Sequence, residues 1–244
     1  DLVVTNHEFE TTTLFRNLGK GLFADATSES GIGPATLPYV AFGAALFDYD
    51  NDGRLDLAIA NGHVVDNTAQ MRAGSTHAQR RLLFRNVDGR RFIEMGRRSG
   101  SGFARDKVGR TLAFADFDND GDLDLLITNN GQTIDLLRND GGNRHNALIV
   151  RTEGTKSNRD GIGARLRLTT RTMTQVREVK AGSSYLGQND TRVHFGLGDT
   201  TEIDQLEVRW PSGRVDVIPR PPINVAMTVV EGEGATRRVP FVAK

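Results

Sequence analysis

Short runs of alternating apolar residues recur along the whole chain, and their period is two. Leu55, Leu57 and Ile59 alternate in one run, and Leu123, Leu125 and Ile127 in another. Successive side chains of a strand point to opposite faces, so each run predicts a β-strand and not a helix. Both strands end at Asn-Gly, Asn61-Gly62 and Asn130-Gly131, and a second apolar run follows each: Leu82-Leu83-Phe84-Arg85-Asn86, then Leu136-Leu137-Arg138-Asn139. The N-terminus repeats the order. Asp1-Leu2-Val3-Val4-Thr5-Asn6 matches 56–61 and 124–129, and Leu14-Phe15-Arg16-Asn17 matches 83–86. The chain is therefore expected to begin inside a repeat. The middle repeat carries roughly 14 additional residues between Gly62 and Arg81, which predicts a long surface loop.

The pattern changes after Asn139. Asp140-Gly141-Gly142-Asn143 is a turn cluster. Seven short alternating runs follow, at 147–152, 164–169, 175–180, 192–196, 205–210, 214–218 and 225–230. Their spacing predicts an antiparallel sandwich-like unit. Val208 and Trp210 alternate with Glu207 and Arg209, as one buried and one wet face require. Pro219, Pro221 and Pro222 interrupt before the last run. The predicted fold class is all-β, with blade-like sheets over 1–145, a separate sandwich-like domain over 146–235 and a tail over 236–244. A complete propeller needs at least four blades. An incomplete propeller is expected here, its open sheet edges covered by the second domain or by a partner chain.

The strands beginning near Leu55 and Leu123 are preceded by the same nine-residue motif. One copy is Asp48-Tyr49-Asp50-Asn51-Asp52-Gly53-Arg54-Leu55-Asp56, the other Asp116-Phe117-Asp118-Asn119-Asp120-Gly121-Asp122-Leu123-Asp124. Carboxylates at alternating positions converge on a hard cation when the chain wraps it, and Gly permits the sharp turn. Without a cation the same carboxylates repel one another. The predicted metal ligands are Asp48, Asp50, Asp52 and Asp56 with the carbonyl of Arg54, and Asp116, Asp118, Asp120 and Asp124 with the carbonyl of Asp122. The side chains of Arg54 and Asp122 are then expected to point outward. Oxygen-only ligands on a flexible loop favour calcium over zinc or copper, so two calcium ions per chain are expected. An EF-hand closes its site with Glu at the twelfth place; here the closing acid is Asp at the ninth, a related chemistry on another architecture. The first loop carries a formal charge of −3 and the second −5, so the second is expected to fill first at low salt.

Composition narrows the rest. Lys plus Arg and Asp plus Glu each number 31, so net charge points to no partner. Cysteine is absent, which excludes disulfides and thiolate metal sites. No apolar run approaches the length of a membrane span. Residues 72–110 hold eleven basic residues and three acidic ones, which reads as a solvated face balancing the Asp loops, with an anionic polysaccharide or nucleic acid as the alternative partner. The aromatic interleaving that would stack nucleic-acid bases is missing there, so no nucleic-acid partner is expected. His63 and His77 fall in the long loop without a spaced acid beside them and read as ordinary loop residues. Gly161-Ile162-Gly163 is followed by no helical pattern and is not a dinucleotide fingerprint. Ser183, Ser184, Tyr185 and His194 stand without a Gly-x-Ser-x-Gly elbow. No catalytic or cofactor-binding residue is assigned. Asn189-Asp190-Thr191 is a formal glycosylation sequon.

The loop-plus-strand units resemble FG-GAP or VCBS repeats, the blades of calcium-binding β-propellers. Phe42-Gly43-Ala44-Ala45 stands where the family's Phe-Gly signature falls, and the third unit departs from it with Arg110-Thr111-Leu112-Ala113. The second half resembles the ASPIC/UnbV domain of the cartilage acidic protein-like family. The segments that carry this likeness are Gly154-Thr155-Lys156-Ser157-Asn158-Arg159-Asp160-Gly161-Ile162-Gly163-Ala164, Ala181-Gly182-Ser183-Ser184-Tyr185-Leu186, His194-Phe195-Gly196-Leu197-Gly198 and Val208-Arg209-Trp210-Pro211-Ser212-Gly213. The resemblance implies a secreted, cell-surface or periplasmic calcium-binding protein and supplies no biochemical activity. The expected function is a non-catalytic adhesion or scaffold module with an unknown protein or glycan ligand. The alternatives are a carbohydrate-binding module, or the non-catalytic part of a secreted polysaccharide-degrading enzyme.

Overall fold

The computed structural model describes residues 1–71, 73–141 and 144–242. Arg72 of the basic stretch, Gly142 and Asn143 of the turn cluster and the last two residues of the tail lie outside them. The described chain is all-β. Strands β1 (Leu2–Val4), β2 (Thr13–Gly19) and β3 (Leu22–Asp25) form a first antiparallel sheet. In the second sheet β4 (Ala41–Phe47), β5 (Asp56–Asn61), β7 (Leu82–Asn86) and β8 (Phe92–Glu94) lie in sequence order, the short β6 (Gln79–Arg80) standing aside. Strand β9 (Asp106–Lys107) pairs with β6 and ties the long loop to the next unit. The third sheet is β10 (Gly109–Ala115), β11 (Asp124–Asn129) and β12 (Gln132–Leu137).

These three sheets stack face to face as propeller blades do. Leu57 and Ile59 of β5 pack with Leu14, Ile32, Leu82 and Phe84, joining the first and second sheets. Ala58 and Ala60, on the opposite face, pack with Leu112, Leu125 and Ile127 and join the second to the third. Every residue of β5 is buried. The small Ala58 and Ala60 therefore set how closely two blades approach.

The Phe-Gly signature has a steric basis. A Cβ on Gly43 would lie 2.5 Å from the backbone nitrogen of Leu112 and 2.6 Å from the carbonyl oxygen of Arg110, so β4 approaches β10 more closely than any side chain allows. The β4–β5 register shifts between Ala41 and Ala44, and the β10–β11 register between Gly109 and Leu112. The third unit thus keeps the strand and its bulge although its residues depart from the signature. Arg110 packs its guanidinium 4.1 Å from the centre of the Phe42 ring and donates to the carbonyls of Gly62 and His63.

The second half is a two-sheet sandwich with eight described strands. Strands β13 (Asn146–Glu153), β14 (Arg165–Thr169), β15 (Thr174–Glu178), β16 (Val193–Gly198), β17 (Gln205–Arg209), β18 (Val215–Pro219), β19 (Val225–Val230) and β20 (Gly234–Pro240) follow in order. One sheet runs β16-β13-β19-β20 and the other β15-β14-β17-β18. Their inner faces meet in one core that includes Leu148, Val150, Leu166, Leu168, Phe195, Val208, Trp210 and Met227. The expected purely antiparallel arrangement is corrected in one place: β13 and β19 pair in parallel. The chain between them builds the whole opposite sheet, which is the long crossover that a parallel pair requires. Most of β20 falls in the stretch read as a tail. Its Arg237 and Arg238 break the apolar alternation because β20 is an exposed edge strand.

The segments that carried the sequence likeness have structural roles here. Buried Glu231 accepts the backbone N–H groups of Thr155, Lys156 and Ser157. Burial alone would raise its carboxyl, but these donors and Ser212 hold it down at about 2. Trp210 donates its indole N–H to Asp216 at 2.8 Å.

The sandwich also covers an open blade edge. The N–H of Phe114 donates to Asn189 Oδ1 at 3.1 Å, and Asp190 N–H donates back to the Phe114 carbonyl at 3.2 Å. Ser184 and Leu186, in the same loop, have φ of 66° and 48°, a conformation that non-glycine residues seldom adopt.

Candidate metal centre

Each motif loop joins the first strand of a blade to the second, β4 to β5 and β10 to β11. The fourth-place asparagines, Asn51 and Asn119, have φ of 56° and 60°. Gly53 and Gly121 follow at 90° and 94°, where a side chain would be strained. The two loops therefore share one backbone path. Asp48 accepts the N–H groups of Asp52 and Gly53 at 3.0 and 2.8 Å, and Asp116 accepts those of Asp120 and Gly121, both at 3.1 Å.

The closing acid has a structural duty that explains the Asp-to-Asn spacing of the repeats. Asp56 Oδ1 accepts the N–H of Asn86 at 2.7 Å, and Asp124 Oδ1 that of Asn139 at 2.7 Å. Asp1 Oδ1 accepts Asn17 N–H at the same distance in the first unit. The second oxygen accepts the second-place N–H, Tyr49 for Asp56 and Phe117 for Asp124.

Among the described residues, two groups of acids converge closely enough to hold an ion, and both are these loops. Oxygens of Asp48, Asp50 and Asp56 lie within 4.8 Å of one another, as do oxygens of Asp116, Asp118 and Asp120. Asp52 stands apart because its carboxylate pairs with the Arg54 guanidinium. Asp124 lies outside its trio although it makes the same two hydrogen bonds as Asp56. Asp122 stands outside its loop's trio but is fully buried, not solvated, and the Phe241 ring lies beside the neighbouring Gly121. Arg54 is partly exposed and donates its Nε to the Asn86 carbonyl at 3.2 Å.

The donor set fits a hard cation. Asp50 Oδ1 and Asp118 Oδ1 are buried and have no hydrogen-bond partner, a costly state for a carboxylate unless an ion supplies the missing charge. Burial pushes Asp48 up to about 7, further raised by Asp52 and Asp50. Burial likewise lifts Asp56 to about 9 and Asp124 to about 6. Asp50 and Asp116 move in the same direction for the same cause. All the ligand atoms are oxygens, the preference of calcium and magnesium.

The other sequence features take bland places. His63 is buried, its Nδ1 accepting from Val65 and its Nε2 3.6 Å from Glu8, while His77 offers its backbone carbonyl to His63. Part of the basic stretch is consumed by the fold. Arg80 pairs with Glu94, Arg91 with Asp88, and buried Arg81 with Asp135, which also takes Lys107. His194, missed as an interface residue, is buried with Nε2 3.3 Å from the Gly121 carbonyl. Desolvation drives its ring down to about 4, so it is neutral.

Comparison with known proteins agrees with this architecture. Residues 1–59 match the FG-GAP-like repeat model, residues 108–144 the FG-GAP repeat model, and residues 154–236 the ASPIC and UnbV model. The chain thus combines FG-GAP repeats with a C-terminal ASPIC/UnbV domain. It is similar to cartilage acidic protein 1 of Xenopus tropicalis, at 26% identity over 250 residues that cover 83% of this chain and 38% of the relative. The Homo sapiens protein of the same name is 26% identical over 254 residues, covering 83% and 37%. The chain therefore spans less than two fifths of the length of these relatives.

Proposed function

We propose that this chain is a non-catalytic, calcium-stabilised extracellular interaction module, with one structural ion in each Asp loop. The observation that supports the reading is that three carboxylates converge in each loop, at the first, third and ninth places in one and the first, third and fifth in the other, with a buried, unpartnered oxygen on Asp50 and on Asp118. Asp52 and Asp124 complete the sets, and the carbonyls of Arg54 and Asp122 are the seventh-place ligands. A calcium-requiring fold suits a secreted or surface location. No helix among the described residues is long and apolar enough to cross a membrane. Calcium bound only to the folded form raises stability with its concentration. Saturating calcium is expected to raise the melting temperature, and chelator to lower it. An unchanged melting curve after confirmed metal removal overturns the reading.

One observation favours glycan binding as a second reading. A cleft of about 850 Å³ lies between the blades and the sandwich, and Phe42, Tyr185, Arg16, Arg177 and Lys180 line it. Tyr185 with Lys180 and Arg177 suits an acidic sugar, although Arg16 is paired with Glu29, Arg110 covers the Phe42 ring, and Asp1, Glu178 and Asp190 share the lining. An array of neutral, uronic and sulfated glycans tests it: retention of acidic glycans alone, lost in Lys180→Ala, supports this reading, and no retention removes it.

A further inference from the structure

We propose that the two metal loops are also the docking surface for the chain's own C-terminal domain, so that ion binding and domain docking form one linked equilibrium. This rests on the calcium reading above and goes beyond it. The sandwich touches the two loops at structurally equivalent points. The carbonyl of fourth-place Asn51 accepts the N–H of Gly198 at 2.7 Å, and that of fourth-place Asn119 accepts the N–H of Val242 at 2.7 Å. The sixth-place glycines serve as sockets. A Cβ on Gly53 would sit 2.9 Å from Met173 Sδ, and one on Gly121 2.4 Å from the Phe241 ring. The loops also touch each other, Asn51 Nδ2 donating to the Gly121 carbonyl at 3.1 Å.

The points of contact are therefore groups whose positions the wrapped loop sets. The carbonyls that receive the sandwich belong to residues at positive φ, and the sockets are the turn glycines. A loop that relaxes when its carboxylates repel displaces all four points. Docking acts on the ions in turn. A Cβ on Gly196 would lie 2.1 Å from Asp48 Oδ2, so the sandwich backbone lies directly against a ligand carboxylate and excludes water from it. Arg192 holds the second loop by donating to the Asp116 carbonyl at 2.6 Å and to Asn119 Oδ1 at 2.9 Å. Burying like charges is unfavourable until a cation neutralises them. Docking is thus weaker on the empty loops, where Arg177 and Arg192 of the sandwich offset only part of the repulsion, than on the filled ones, and by reciprocity docking tightens the ions.

Hydrogen exchange and calorimetry on the intact chain test this together. Chelation is expected to speed exchange at the Gly198 and Val242 amides by about tenfold or more, while Leu166 and Val208 in the sandwich core keep their protection. Gly196→Val is expected to weaken calcium binding about tenfold. Should that variant lose core protection, Phe241→Ala removes only the ring that lies against Gly121 and is expected to weaken the second-loop ion by about fivefold. Calcium that binds the wild type normally, with both amides unmoved by chelation and affinity unmoved in the folded variant, overturns the docking inference and leaves the calcium reading intact. A wild type that binds no calcium overturns both.

Discussion

The metal-free chain is expected to lose stability as pH rises from 5 to 8. Asp48 is held at about 7, Asp124 at about 6 and Asp56 at about 9, against 3.8 for a carboxyl in water. Between the unfolded and folded values such a group is protonated in the fold and ionised in the unfolded chain. Unfolding then releases a proton, and raising the pH favours it. The stabilising contribution is complete below 3.8 and is lost as pH climbs through the folded value. Asp48 alone loses about 1.4 kcal/mol per pH unit, or roughly 3 kcal/mol from pH 5 to 7. Asp124 adds about 1.4 kcal/mol from pH 5 to 6. Asp56 continues the loss toward pH 9, but it shares its repulsion with Asp48, so the first loop loses less than the sum of the two. A net loss of roughly 4–6 kcal/mol across pH 5–8 compares with a usual total stability of about 5–15 kcal/mol. Calcium favours the ionised carboxylates and is expected to flatten the dependence. Urea unfolding at unit pH steps, in chelator and in millimolar calcium, measures both curves. A metal-free midpoint that stays level or climbs from pH 5 to 8 refutes the buried-carboxylate reasoning.

Three further outcomes follow from particular contacts. Gly43→Ala sets a Cβ against the backbone of Leu112 and Arg110 and is expected to cost about 2 kcal/mol or more, read from denaturant unfolding. Arg81→Ala removes a buried guanidinium that donates to the Gly102 carbonyl and leaves half-buried Asp135 with Lys107 and Asn129, and is expected to cost about 1–3 kcal/mol; no measurable cost would show the pair to be dispensable. Arg54→Asp frees Asp52 from its ion pair and is expected to raise first-loop calcium affinity about fivefold at low ionic strength; an unchanged calorimetric affinity assigns the order of filling to loop rigidity.

Much of this architecture is legible in residue order because it rests on local rules. The period of two at Leu55-Leu57-Ile59 and Leu123-Leu125-Ile127 reports the strands directly, and the nine-residue motifs carry their own turn and ligands. What escaped depends on contacts between distant segments. Ala58 and Ala60 look like weak strand positions until the third sheet is seen packing on them. Asp122 reads as a solvated charge because its burial comes from distant segments such as Phe241, which lies beside Gly121 of the same loop. The parallel pairing of β13 with β19 depends on the intervening sheet, which no local pattern encodes. β20 was hidden by its arginines, since an edge strand needs no second apolar face. His194 lies in a segment that carries the family likeness, but nothing local marks it as an interface residue, since its only described hydrogen-bond neighbour is a backbone carbonyl of the second loop.

The central claim is that each Asp loop holds one calcium ion. Isothermal titration of the calcium-stripped chain, compared with Asp50→Ala and Asp118→Ala, tests it most directly. Two ions bound by the wild type and one by each variant is the expected result. A folded wild type that takes up no calcium at millimolar concentration, or two variants that still bind two ions each, contradicts it.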